Sequence, residues 1–179
     1  MIPISDERES GKFPILTITL ILINAVVFLF IFFNLDFFIQ EFGFIPEKVK
    51  NGERLYTFLS SLFIHASFSH LIGNLWFLWI FGDNVEAKIG RIKFLILYFL
   101  SGLGSLILFS FTTSNKTIPV VGASGAISGI LGAYLVLFPK NKIKAIVPFF
   151  YFYRIVSIPA LFYIGIWFLY QFLYMSVDP

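Results

Sequence analysis

Residues 55–82, LYTFLSSLFIHASFSHLIGNLWFLWIFG, run for 28 positions without a formal charge. A helix needs only about 20 apolar residues to cross hydrocarbon, so this run is too long for one span. We read it as two pieces. Leu55 to Phe68 lies in or dips into the membrane interface, and the span proper runs from Ser69 to about Glu86. The second piece contains His70 and Asn74, polar side chains that hydrocarbon penalises and that therefore require a reason.

Outward from that run, the whole chain has the same character. Of its 179 residues 58% are hydrophobic and 13% are charged, about half the charged share of a soluble domain. Mean hydropathy is +0.88. A soluble chain of this size has too little interior to hide so much apolar surface, so the bilayer must act as solvent. Four further apolar runs give expected spans at 15–33, 94–111, 123–138 and 155–175. With 69–86 they make a five-span, all-α polytopic helical bundle forming one domain over 1–179. Placing the N-terminus inside puts Arg8, Lys12, Lys88, Arg91, Lys93, Lys140, Lys142, Lys144 and Arg154 on the cytoplasmic side. Lys48, Lys50, Arg54 and Lys116 stay outside, a bias of nine against four.

Several classes fall away. The net charge of +3 is not gathered into a basic patch with interleaved aromatics, which argues against nucleic acid. There is no cysteine and there are only two histidines, His65 and His70. Five apart, they would lie on different faces of a helix, so no metal site is expected. Ser5-Asp6-Glu7-Arg8-Glu9 is mixed in charge, and the apolar run after Lys12 is too long for a cleavable signal.

Thr117 to Pro139 carries no charge, yet it holds two serines and four glycines. Within it, Val121-Gly122-Ala123-Ser124-Gly125-Ala126 admits two compatible readings. Gly125 with Gly129, and Ser124 with Ser128 and Gly132, follow the small-residue spacing that lets transmembrane helices pack closely. The same stretch could hold a serine at a helix N-terminus beside free backbone N–H groups, the arrangement an oxyanion needs. It is not the nucleophile elbow of soluble hydrolases, because Ala126 occupies the second required glycine. His70 and Asn74 are four apart, on one helix face, and can converge. Asp83 and Glu86 are read as cap and interface residues, Arg54 as a headgroup anchor, and Trp76, Trp79 and Trp167 as packing or lipid-facing.

Taken jointly these residues resemble the rhomboid family of intramembrane serine proteases. The matching pieces are Arg54, His65-Ala-Ser-Phe-Ser-His70-Leu-Ile-Gly-Asn74, Phe81-Gly82-Asp83-Asn84-Val85-Glu86 with Gly90, and Gly122-Ala123-Ser124-Gly125 followed by Gly129, Gly132 and Tyr134. The resemblance implies a wet cavity open to the outer face, with Ser124 as nucleophile. His70, Asn74 and the Ser124 N–H would donate to the oxyanion. It implies transmembrane protein substrates in a lipid bilayer, no cofactor, and a prokaryotic cell membrane as location. Two departures stand out. The family's general base is a histidine on a sixth span, and no histidine follows His70, so the chain reads as a fragment without its last span and inactive alone. Ser128 stands where some members carry an aromatic that packs against that histidine. The alternative reading is a non-catalytic rhomboid-like protein that binds the helices of other membrane proteins. A small transporter or channel component is a remoter third.

Overall fold

The computed structural model describes residues 1–7, 13–149 and 152–177. Arg8 and Lys12, counted above on the inner side, lie outside them. The molecule is mostly helical, as expected. Helix α1 (Ile15–Ile31) passes through a 3-10 turn (Phe32–Asn34) into α2 (Leu35–Phe42). Two short helices follow, α3 (Pro46–Lys50) and α4 (Thr57–Ser60). Then come α5 (Phe68–Ile89), α6 (Arg91–Thr112), α7 (Ser124–Leu137) and α8 (Ala160–Val177).

Among the described residues, two helical stretches are long and apolar enough to cross a membrane, Ile15–Phe42 and Arg91–Thr112. Ser124–Leu137 and Ala160–Leu169 are apolar but shorter. The 14 residues of α7 extend roughly 21 Å, less than the hydrocarbon thickness. Phe30, Phe33, Phe111 and Val136 are about four-fifths exposed, large apolar surface that water does not tolerate and lipid does.

The all-α expectation needs correction. Strands β1 (Ile2–Ser5), β2 (Lys142–Phe149) and β3 (Phe152–Pro159) form an antiparallel sheet in the order β1-β2-β3. Lys142 pairs with Pro159 and Phe149 with Phe152, so β2 and β3 are a hairpin. Ile143 and Ala145 are fully buried while Lys142 and Lys144 are exposed, the two-residue alternation of a strand with one covered face. Residues 155–159, expected to open the last span, belong to β3, and α8 starts only at Ala160. β-branched Ile155, Val156 and Ile158 favour the strand, and open strand edges do not face hydrocarbon.

Four local devices lock the helices together. Ser67 caps α5, its Oγ accepting from the His70 N–H at 3.1 Å. Gly90, at φ 82°, is the single residue between α5 and α6, a backbone conformation that other residues resist. Buried Glu86 caps α1 in trans: its carboxylate accepts from the N–H groups of Leu16 (3.0 Å) and Thr17 (2.8 Å) and from Thr17 Oγ1 (2.9 Å). That is the cap role expected of it, performed for a helix about 70 residues away in sequence. Gly125 and Gly129 of α7 lie directly against Ser105 and Ser101 of α6, where any side chain would collide. Leu78, Phe81, Val85, Phe94, Tyr98, Ile127, Ile130 and Tyr134 fill the core between α5, α6 and α7.

Candidate active site

Ser124 is the first residue of α7, and it is exposed. The first intrahelical bond in this turn is made by the Ile127 N–H to the Ala123 carbonyl at 2.9 Å. The N–H groups of Ser124, Gly125 and Ala126 precede it, so they have no acceptor within the helix and point past its end. A serine hydroxyl therefore stands beside backbone donors.

The turn that delivers Ser124 is held on both sides. Phe44 and Val120 exchange backbone bonds at 2.9 and 2.8 Å, and the Gly122 N–H donates to the Ser61 carbonyl at 2.8 Å. Gly122 has φ 115°, a left-handed region that favours glycine. A Cβ there would fall 2.6 Å from His70 Nε2 and 3.5 Å from Asn74 Nδ2. The side chains of His70 and Asn74 thus lie against the backbone two residues before Ser124. Asn74 is 8% exposed, and its Nδ2 has no hydrogen-bond partner. Leaving a buried donor unpaired costs about 1–3 kcal/mol, which a purely structural asparagine would avoid.

His65 corrects an expectation. Helical spacing would put the two histidines on different faces, yet their rings lie 5.1 Å apart, edge to face. The reason is local: α5 begins at Phe68, so His65 precedes the helix and helical spacing does not apply. Ser67, a helix cap in sequence, was the signal for it. His65 is fully buried, with Nδ1 3.4 Å from the Phe63 carbonyl and Nε2 unpartnered. Burial, with the neighbouring His70 as second cause, lowers its pKa to about 4, so it is neutral near pH 7. No group of three or more metal-ligating side chains occurs among the described residues.

Arg54, expected at the outer headgroups, also bonds within the protein. It donates to the Gln40 carbonyl at 2.7 Å and to Glu41 Oε2 at 2.6 Å, while the Tyr56 hydroxyl donates to the Glu41 carbonyl at 3.1 Å. Its φ of 50° is the one positive value at a non-glycine residue among those described. Arg54 therefore ties the end of α2 to the start of the 55–68 segment. Ser128 donates to the Ser124 carbonyl at 2.8 Å, within its own helix. Trp79 is half exposed, Trp76 donates to the Pro3 carbonyl at 2.6 Å, and Trp167 packs 5.5 Å from the Phe77 ring.

Comparison with known proteins gives the family. The family model described as the Rhomboid domain matches residues 52–179, and the chain belongs to the rhomboid family. RHOMBOID-like protein 5 of Arabidopsis thaliana is 38% identical over 98 residues, covering 54% of this chain and 31% of that protein. Rhomboid-like protein 11, chloroplastic, of the same plant is 33% identical over 110 residues, covering 58% and 39%. YdcA of Bacillus subtilis, provisionally named a rhomboid protease, is 36% identical over 97 residues, covering 53% and 48%. The chain thus spans less than half the length of each of these relatives. No solved structure matches it.

Proposed function

We propose that this chain carries the nucleophile and oxyanion donors of an intramembrane serine endopeptidase that cleaves transmembrane segments near the outer face. Ser124 attacks the scissile carbonyl. His70, Asn74 and the Ser124 N–H receive the negative charge that develops on its oxygen. The observation that carries this reading is the buried, unpartnered Asn74 Nδ2 beside Gly122, two residues from an exposed serine at a helix start. One such donor contributes about 2.7–4 kcal/mol to transition-state stabilisation.

The attacking hydroxyl also needs a proton acceptor. Of the two histidines, His70 is assigned to the oxyanion and His65 is buried against it, so neither supplies the acceptor in this reading. Without it, turnover falls by about 10⁶ in comparable soluble enzymes, and the chain alone is inactive. The nine-to-four distribution of basic residues favours an N-terminus in the cytoplasm with five spans, α7 being a short one. We place the protein in a prokaryotic cell membrane, although the relatives include a chloroplastic protein beside the bacterial one.

The test is labelling by a serine-directed phosphonate in the protein supplied with its full coding sequence. Ser124-dependent labelling, lost in Ser124→Ala, is the expected result. Labelling equal in wild type and Ser124→Ala, or none in either, would favour the non-catalytic reading, in which the protein binds the helices of other membrane proteins.

A further inference from the structure

The same two helices that meet at the candidate site are tied again at their other ends, and the tie comes from the N-terminal strand. Asn84 lies ten residues beyond Asn74 on α5, and Tyr134 lies ten beyond Ser124 on α7. Both intervals correspond to about 15 Å of helix. At that level one atom joins them: Asp6 Oδ2 accepts from Asn84 Nδ2 at 2.6 Å and from the Tyr134 hydroxyl at 2.7 Å. Phe81 and Tyr134 pack edge to face at 5.1 Å directly beside the bridge.

Asp6 is not loosely presented. β1 pairs with β2, aligning Ile2 with Ile146 and Ser5 with Lys144. The Pro3 carbonyl accepts from Trp76 Nε1 at 2.6 Å and the Met1 carbonyl from the Tyr163 hydroxyl at 3.3 Å. On the other side of Asp6, the Glu7 carbonyl accepts from Asn84 Nδ2 at 3.0 Å and from Asn141 Nδ2 at 3.3 Å, and Glu7 Oε2 accepts from the Lys142 N–H at 3.2 Å. The segment 1–7 therefore touches α5, α7, α8 and the hairpin.

We propose that Met1–Glu7 is a positioning strap, in which the Asp6 carboxyl group sets α7 against α5 and so fixes where Ser124 stands relative to His70 and Asn74. This rests on the proteolytic reading for its consequence in catalysis, though not for its structural content. Asp6 is a positioning residue that acts through Tyr134 and touches none of the reacting groups.

The strap is sensitive to protons. Burial pushes the Asp6 carboxyl up to about 6, with the Asp83 charge adding to it and the Tyr134 and Asn84 bonds opposing it. Among the described residues, the charged and titratable groups around it include Asp83 on α5, Tyr134 on α7, Glu7 on its own segment, and Lys142 and Lys144 on β2. Because the folded value lies above the ordinary carboxylate value of 3.8, the strap holds most firmly below that pH and loosens as pH rises through about 6.

Hydrogen exchange on the full chain in bilayer nanodiscs tests this, with amides of the N-terminal segment and of Ile127–Leu131 followed from pH 4.5 to 8. In the wild type, protection of the segment should fall as pH passes about 6, beyond the intrinsic pH dependence of exchange. Asp6→Asn keeps an acceptor oxygen and should abolish that step while preserving protection of α7. Asp6→Ala and Tyr134→Phe should speed exchange in Ile127–Leu131 by roughly tenfold, the effect of one pKa unit of interaction. Unchanged α7 exchange in both, or a step that persists in Asp6→Asn, overturns the strap. Phosphonate labelling of Ser124 is read in parallel in wild-type protein supplied with its full coding sequence. Its absence would count against the protease reading while the exchange result still decides the strap.

Discussion

Ser124 gains its chemical interest from three residues around its turn that each carry a cost. Gly122 holds a left-handed backbone, Asn74 keeps a buried donor unpaired, and His65 is buried neutral against His70. Each makes a prediction. Gly122→Ala puts a methyl group against His70 Nε2 and strains the backbone, so it should destabilise by about 1–3 kcal/mol and displace His70. Thermal unfolding in detergent together with phosphonate labelling, both on protein supplied with its full coding sequence, would measure both effects. Asn74→Ala should lower turnover of the complete protein with little change in substrate affinity, because its bond strengthens as oxyanion charge forms. If it mainly unfolds the protein, Asn74 is structural. For His65, the lowered pKa means that stability is fully present above its ordinary value of 6.5 and is lost as pH falls through about 4. A pH series of unfolding midpoints should show that loss, and His65→Gln should flatten it.

At the scale of elements, α5 is the organising helix. Its first turns carry His70 and Asn74, and its last turns carry Glu86, which caps α1. Glu86→Gln removes the charge from bonds to Leu16 and Thr17 and should cost about 1–3 kcal/mol while leaving Ser124 labelling intact. Gly129→Val would drive a branched side chain into Ser101 and should cost about 1–3 kcal/mol by prising α7 from α6. Most of these helices were legible because long charge-free runs have few alternatives. The strands were not. In a chain this apolar, the alternation of Lys142, Ile143, Lys144 and Ala145 merges into the runs around it, and Ile155–Pro159 reads as the start of a span. Asp6 was hidden for a different reason: its partners Asn84 and Tyr134 are 78 and 128 residues away. Glu86 could be read as a cap from its position near a helix end, but not as the cap of α1.

For the molecule as a whole, the local geometry defines one arrangement. α5 and α7 run side by side in the same direction, with polar groups at one end and a carboxylate bridge at the other. The absence of cysteine makes this arrangement directly measurable. Cysteines placed singly and in pairs at 124 and 70, and at 124 and 79 as a control, can be challenged with a short bifunctional thiol reagent in membranes. Trp79 lies on the same helix and is half exposed, but it is about 13 Å further along than His70. Rapid bridging of Ser124→Cys with His70→Cys, and not of Ser124→Cys with Trp79→Cys, is the predicted result. Bridging at 70 no faster than at 79 would place the serine away from its donors and contradict the account.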